Sequence, residues 1–182
     1  MTYVTSGFTP TELCYMLYIY CSCCPVQEDG SVTMYHTIVV PLDGSSRAEA
    51  ILPHVEELAH CHKSRVVFVR VVDPAGSLSG LEGLPVDVSR ELIQQQVNEA
   101  ESYLDAKQGE FRQQRIETTA RVRYGPIVQT ISQVVADENA DLVALASHGR
   151  SGLARMFYGS VAAGLLQRID RPMLIVRAPG VN

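Results

Sequence analysis

The segment DLVALASHGRSGLARMFYGSVAAGLLQRIDRPMLIVRA, residues 141–178, contains a strand, a loop, a helix and a second strand in succession. The apolar runs at 141–147 and 172–178 predict the two strands, and VAAGLLQRID (161–170) predicts the helix between them. The connecting loop carries glycines, small hydroxyl residues and two arginines. Because parallel strands need a long crossover connection, usually a helix, this segment predicts a parallel pair of strands.

The same alternation of strand and helix is found upstream. TIVVPLD (37–43) predicts a strand, and Ser46 with Glu49 forms a capping-box pattern that predicts a helix running to about His60. RVVFVRVVD (65–73) is a nearly continuous apolar run. Such a run is typical of a parallel strand that is covered on both faces.

The middle of the chain predicts a loop, a long helix and a third strand. PAGSLSGLEGLPVD (74–87) is rich in Gly, Pro and Ser, and we expect a loop there. A helix is predicted from Ser89 to about Gln114. In IETTARVRYG (116–125), apolar and polar residues partly alternate, which predicts a strand at the edge of the sheet or covered on one face.

Gly125-Pro126 starts a further helix, which we expect to end near Asn139. The complete order is therefore β-α-β-α-β-α-β-α-β. This order predicts an α/β fold with a five-stranded, mostly parallel sheet and helices on both faces. The last strand, at 172–178, is predicted at an edge.

Length and composition limit the class of protein. The 182 residues suit one domain, and 46% hydrophobic with 19% charged residues is ordinary for a globular protein. The formal net charge is −5. Binding to nucleic acid depends on clustered Lys and Arg that neutralise phosphates, so we do not expect a nucleic-acid partner.

The first 33 residues differ from the remainder of the chain. They carry Tyr and Cys in irregular order and end in the turn-prone QEDGSVT, whereas a buried-strand pattern follows Met34. We expect residues 1–33 to be an extension outside the core and 34–182 to form the domain. The apolar run LCYMLYIY is shorter than the roughly 18–20 residues that cross a bilayer, so no membrane partner is expected.

Four of the five cysteines lie in the first 24 residues, and only Cys61 lies in the body of the chain. The body therefore has no disulfide framework, which favours a reducing, cytoplasmic location. Cys21, Cys23 and Cys24 could alternatively bind a metal or carry a lipid. A zinc site usually needs a second pair of ligands at a defined distance. The only later cluster, HCH (60–62), lies at the end of a predicted helix, so no metal site is expected.

Three segments lie where a ligand is expected. In open parallel sheets ligands bind beyond the carboxyl ends of the strands, at the point where the strand order reverses. PLDGSS (41–46), VVDPAG (71–76) and ASHGRSG (146–152) follow the first, second and fourth predicted strands. The glycine-rich loop is therefore in the right place to contact a ligand.

The loop has the parts of a phosphate site but neither common nucleotide motif. The Walker string and the G-x-G-x-x-G fingerprint are both absent. Gly149 permits close approach of an anion, Gly159-Ser160 precedes a helix, and Arg150 or Arg155 could add charge. The alternative is that these glycines only form turns.

The residues of 142–177, with IVVPLDGSSRAEAIL (38–52) and VRVVD (69–73) upstream, closely resemble the universal stress protein family over about 35–178. The resemblance implies a Rossmann-like fold of the adenine nucleotide alpha hydrolase-like type. The ATP-binding branch carries G-x-x-G-x9-G-[ST], and here A-S-H-G is followed by nine residues and G-S. The spacing is intact, but Ala146 replaces the first glycine.

That alanine has two possible consequences. If the position needs a positive φ, alanine costs roughly 1 kcal/mol or more. If glycine only gives room, one methyl group is tolerated, and we expect tolerance because the rest of the motif is intact.

On the adenosine side, the resemblance implies that Pro41 and Asp43 lie beside the nucleoside, with the Asp43 carboxylate near the ribose. The backbone of Val71 would bracket the adenine. Asp43-Gly44 is also a good turn pair, so a purely structural role is the alternative for Asp43.

On the phosphate side, the resemblance implies that Leu145 and Ala146 line the ribose and phosphates. Gly149 would let the chain pass the phosphates, with Arg150 supplying charge. The remaining positions would bind phosphate through amides and a hydroxyl; they are Gly159, Ser160 and Val161.

Function follows from the resemblance as an expectation. It implies a stress-response or signalling module that binds ATP, with Mg²⁺, and a homodimer formed through the final strand at 173–178. Two alternatives stay open, a slow ATPase and a dimer that has lost nucleotide binding. Ser147-His148 does not predict a hydrolase, since adjacent residues seldom face each other and no G-x-S-x-G elbow is present.

Overall fold

Five parallel strands form one sheet at the centre of the computed structural model, which describes residues 34–73, 86–148 and 159–178. The strand order is β3-β2-β1-β4-β5, and every pairing is parallel. The strands are β1 (Thr37–Pro41), β2 (Arg65–Val72), β3 (Thr118–Tyr124), β4 (Leu142–His148) and β5 (Met173–Ala178). The predicted α/β class is confirmed, and β3 and β5 occupy the two edges, as predicted.

The described ranges contain four α-helices between the strands. They are α1 (Leu52–His62), α2 (Val86–Gln113), α3 (Ile127–Asp137) and α4 (Ser160–Leu166). A short 3-10 turn, Ala48–Ile51, leads into α1. No helix within the described ranges is long and apolar enough to cross a membrane.

Two separate hydrophobic cores cover the two faces of the sheet. Phe68 and Val40 pack with residues of α1 and α2, among them Val55 and Leu104. Val39, Val67 and Val69 point to the other face and pack with residues of α3 and α4. Successive strand residues alternate between faces, so both faces need apolar side chains, and the buried positions of β1 and β2 form nearly continuous apolar runs for this reason.

The capping box predicted for the first helix does not form. The Ser45 hydroxyl, not that of Ser46, accepts a hydrogen bond from the Ala48 amide at 3.1 Å. The Glu49 carboxylate accepts a 2.9 Å hydrogen bond from the Tyr103 hydroxyl of α2 instead of returning to the cap. For Glu49, a hydrogen bond from the distant residue Tyr103 thus replaces the local capping bond.

Several element boundaries differ from those predicted. Helix α1 extends to His62 rather than His60, and α2 begins at Val86 rather than Ser89. Residues 86 and 87 of the loop predicted over 74–87 thus belong to the helix, and 74–85 lie outside the described residues. Helix α4 ends at Leu166 rather than 170, because the amides of residues 168 and 169 both donate to the Leu165 carbonyl and close the last turn.

Candidate functional site

The strand order reverses between β1 and β4, and these strands separate toward their carboxyl ends. They pair only at Ile38 with Leu142 and at Val39 with Val143, although β4 continues to His148. The Leu42 amide donates to β2 at Val69, 2.8 Å away, so by the alternation of a parallel ladder Pro41 faces β4. Proline has no amide hydrogen to continue the ladder. The result is a cleft at the switch point.

Val71 presents unpaired backbone groups beside this cleft. Odd-numbered residues of β2 face β1, as the bond from Leu42 to the Val69 carbonyl shows. Strand β1 ends its pairing with β2 at Pro41 and Val69, whereas β2 continues to Val72. Among the described residues, the N–H and C=O of Val71 therefore have no backbone partner. Both are free to bind a ligand with a complementary donor and acceptor.

Asp43 lies in a tight turn directly after β1. Its Oδ1 accepts a hydrogen bond from the Ser45 amide at 2.8 Å, and Gly44 has φ +86°. This φ favours glycine. The Asp43 side chain is exposed, and its second carboxylate oxygen has no partner in the described part of the chain. Asp43 thus has a structural role in the turn and one oxygen available for a ligand.

Arg70 packs against this turn, and Tyr103 packs against Arg70. Neither contact was predicted from the sequence. A Cβ placed on Gly44 would lie 3.1 Å from Arg70 Nη1, so the guanidinium packs directly on the turn. On its other side, Arg70 Cζ lies 5.3 Å from the centroid of the Tyr103 ring. The signal available in the sequence was an arginine within the otherwise apolar strand β2.

The Tyr103 hydroxyl extends this contact to the start of the first helix. It donates to Glu49 Oε1, and Lys107 Nζ lies 3.3 Å from Glu49 Oε2. Burial and the nearby Glu49 carboxylate raise the pKa of Tyr103 above its usual range, so the hydroxyl keeps its proton. Through its contacts with Glu49 and Arg70, Tyr103 connects helix α2 to the turn that carries Asp43.

Leu145 and Ala146 lie on β4 at the other side of the cleft. The Leu145 side chain is buried in the core with α3 and α4, whereas Ala146 packs against the opposite core. Ala146 belongs to a regular strand, and the non-glycine residues with positive φ in the described ranges are Lys63, Arg115 and Asn139. The position does not require glycine for its backbone conformation, so the penalty for a positive φ does not apply.

Gly159, Ser160 and Val161 lie at the start of α4. Gly159 precedes the helix with φ +60° and ψ +156°, a region that is essentially restricted to glycine. Ser160 is exposed and Val161 is half-buried. The first amides of a helix have no acceptor within it, so these residues offer N–H groups to a ligand. Gly149, Arg150 and Arg155 lie outside the described residues.

The described ranges hold no group of three His, Cys, Asp or Glu side chains that could bind a metal ion. The cysteines at 21, 23 and 24 lie outside these ranges. His62 is buried against the Tyr35 ring, with the ring centroids 5.3 Å apart.

The sequence matches characterised proteins over nearly all of this fold. Residues 34–177 match the Universal stress protein family. Universal stress protein Sll1654 from Synechocystis is 30% identical over 152 residues, which cover 82% of this chain and 90% of that protein. Universal stress protein MJ0577 from Methanocaldococcus jannaschii is 25% identical over 155 residues, which cover 79% of this chain and 96% of that protein.

Solved structures share the fold. That of MJ0577 has a TM-score of 0.70 at 23% identity, covering 82% of this chain and 100% of the solved one. A universal stress protein from Archaeoglobus fulgidus in complex with dAMP has a TM-score of 0.56 at 20% identity, covering 79% of this chain and 99% of the solved one. From the family match and the shared strand-and-helix architecture, we conclude that the chain belongs to the universal stress protein family.

Proposed function

We propose that this protein binds an adenine nucleotide, ATP with Mg²⁺, in the cleft between β1 and β4 and acts as a nucleotide-dependent stress-response or signalling module. The observation that carries the proposal is the backbone of Val71, whose N–H and C=O have no backbone partner among the described residues beyond the end of β1. The edge of adenine carries an adjacent donor and acceptor. A backbone N–H and C=O can read both and fix the orientation of the base.

Other residues of the cleft suit the rest of the nucleotide. We assign the free oxygen of Asp43 to the ribose, beside Pro41. Leu145 and Ala146 of β4 would line the other side of the cleft. The phosphates would contact Gly149, Arg150 and the start of α4. The residues at the start of α4 are Gly159, Ser160 and Val161. The motif spacing supports this assignment, since nine residues separate Gly149 from Gly159.

The relatives support an adenine nucleotide as the class of ligand. The Archaeoglobus fulgidus protein of this fold was solved with dAMP. We favour ATP here because the chain keeps the second glycine and the glycine-serine pair of the family's ATP-binding motif.

Mg²⁺ would bind together with the phosphates. This ion usually keeps several waters and takes one or two carboxylates plus phosphate oxygens, rather than a complete set of protein ligands. Phosphate oxygens and waters would therefore supply most of its ligands, and the free oxygen of Asp43 stays with the ribose. The ion would screen the negative charge of the phosphates.

Binding, rather than hydrolysis, is the proposed activity. Hydrolysis of ATP needs a group that positions water against the γ-phosphate. The sequence offers only Asp43, His148 and the two loop arginines for this role, with no Lys or Glu in the loop, so we rank hydrolysis below binding. A slow ATPase is the second candidate, and phosphate release above background in the presence of saturating ATP would favour it.

We also propose a homodimer that forms through β5 and a domain that spans 34–182, with 1–33 as an extension outside the core. The exposed backbone edge of β5 supports the dimer. Removal of residues 1–33 tests the domain boundary. The shortened chain should keep the thermal stability and nucleotide affinity of the full chain, and unfolding on truncation would show that the extension is structural.

Isothermal titration of the full chain with Mg-ATP tests the proposed ligand. We expect saturable binding, and a loss of affinity of about tenfold or more in Gly159→Ala, since alanine strains the backbone at φ +60°. Gly109→Ala is the matched control, because a Cβ at Gly109 meets nothing within 4 Å. Absence of heat and of thermal stabilisation with ATP, AMP or cyclic AMP at millimolar concentration would contradict the proposal and favour a dimer that has lost nucleotide binding.

A further inference from the structure

The two edges of the sheet differ in how their outward backbone carbonyls are bonded. At the β3 edge, the Val66 amide donates to the Glu117 carbonyl at 2.8 Å, and the Gly125 amide donates to Val72 at 3.1 Å. The alternation of a parallel ladder therefore turns odd-numbered residues of β3 toward β2. The carbonyls of even-numbered residues face outward, away from the sheet.

Side chains of the protein itself occupy three successive outward carbonyls. Gln108 Nε2 donates to the Thr118 carbonyl at 3.0 Å. Arg121 Nη1 donates to the Ala120 carbonyl at 3.2 Å, and Arg123 Nη1 donates to the Val122 carbonyl at 3.2 Å. These are the acceptors that an incoming strand would need.

Two of the three donors are held in place by other contacts. Gln108 comes from α2 and is buried. Arg121 Nε donates to Glu138 Oε1 at 2.8 Å, and the other Glu138 oxygen accepts from Arg65 at 2.9 Å. An ion pair with geometry of this kind fixes the guanidinium against the strand edge.

The β5 edge has no such protection in the described part of the chain. The Val143 amide donates to the Pro172 carbonyl at 3.0 Å, so even-numbered residues of β5 face β4. The backbone groups of Met173, Ile175 and Arg177 consequently face outward. None of the described side chains donates to their carbonyls.

We propose that these three side chains close the β3 edge to strand addition by a second copy of this chain. An incoming strand at β3 must displace three hydrogen bonds and leave a guanidinium without its acceptor, which carries a free-energy cost. A strand that adds at the β5 edge, where the dimer is proposed above, meets no such bond from the described residues. The β3 edge is separate from the proposed nucleotide site, so the inference holds even if the protein binds no nucleotide.

The test opens the β3 edge in the full chain. The triple variant Gln108→Leu, Arg121→Thr, Arg123→Thr should form larger, concentration-dependent species in sedimentation velocity than the unaltered protein. With both edges open, contacts at β3 and β5 would join copies into an open chain. The control Gln113→Leu, Arg90→Thr, Arg112→Thr makes the same changes at exposed positions of α2 and should sediment like the unaltered protein.

Ile175→Pro separates the two edges, because proline removes the outward amide at the centre of β5. It should make the unaltered protein a monomer, whereas in the triple variant it should leave a dimer joined through β3. A folded triple variant that sediments like the unaltered protein, with and without Ile175→Pro, overturns the inference.

Arg123→Thr alone covers the case in which the triple variant unfolds. Arg123 is exposed and donates to the neighbouring Val122 carbonyl, so we expect this single change to keep the fold. With Ile175→Pro it should raise the dimer fraction at high protein concentration. An unchanged monomer in that folded double variant also overturns the inference.

Discussion

At the scale of single residues, the methyl group of Ala146 illustrates how backbone conformation decides what a substitution does. The family's ATP-binding motif has glycine here, yet Ala146 adopts regular strand geometry and packs against the core with α1 and α2. The methyl group of Ala146 is directed into this core. We therefore expect it to contribute to stability without obstructing the ligand.

Ala146→Gly should accordingly leave the affinity for Mg-ATP within about threefold while lowering the free energy of unfolding by about 0.5–1 kcal/mol, since glycine weakens a strand. Titration calorimetry and urea denaturation measure the two quantities. A tenfold gain in affinity would show instead that the methyl group obstructs the site.

At the scale of secondary-structure elements, helices α3 and α4 approach each other through a glycine. A Cβ on Gly164 would lie 2.8 Å from Val128 Cγ2, closer than such atoms can come. Gly164 therefore sets the distance between α4 and α3. Since α4 begins at Ser160, the position of the proposed phosphate contacts depends on this packing.

Gly164→Ala should destabilise the protein by about 1–3 kcal/mol, because overpacking outweighs the better helix propensity of alanine. Gly109→Ala, in open space on α2, should stabilise by about 0.5–1 kcal/mol. Thermal and urea unfolding of the two variants compare the same chemical change in two environments. Equal stabilisation by both would show that α4 can move away from α3 without cost.

The elements themselves were largely predictable from the sequence, because each buried strand is a continuous apolar run bounded by turn residues. The order of these elements also predicted the edge of the sheet at which a ligand is expected. What local patterns did not predict were contacts between distant segments. Glu49 forms part of a sound capping-box pattern, yet Tyr103 and Lys107 of α2 take its carboxylate. The support of the Asp43 turn by Arg70 was missed for the same reason.

At the scale of the whole molecule, one ion cluster joins three elements at the end of the sheet opposite the cleft. Glu138, just after α3, bonds to Arg65 at the start of β2 and to Arg121 on β3. Burial alone would raise the pKa of Glu138, but the hydrogen bonds from both arginines outweigh it and lower the pKa below its usual value. The ionised carboxylate is thus favoured in the folded protein.

Because the folded-state pKa of Glu138 is depressed, its contribution to stability is present above the unfolded-state pKa of about 4.3 and is lost as pH falls through the folded-state value. Glu138→Gln should cost about 2 kcal/mol at pH 7. The difference from the unaltered protein should shrink below about pH 4, as the carboxylate takes up a proton.

Urea denaturation at pH 7, 4 and 3 measures this difference, with the exposed Glu91→Gln as control. A difference that stays constant across this range would show that the loss comes from packing and not from charge.

Pro41 has a consequence for the energetics of binding. A cleft between two strands normally competes with their own pairing, so a ligand must first separate hydrogen-bonded groups. Between β1 and β4 the last pair is Val39 with Val143, and the next position that faces β4 carries a ring nitrogen without hydrogen. Because the donor is missing, β1 and β4 cannot close this gap by forming the next backbone hydrogen bond. The cleft is therefore pre-organised by covalent structure, and a ligand entering it retains the binding free energy that opening the strands would otherwise consume.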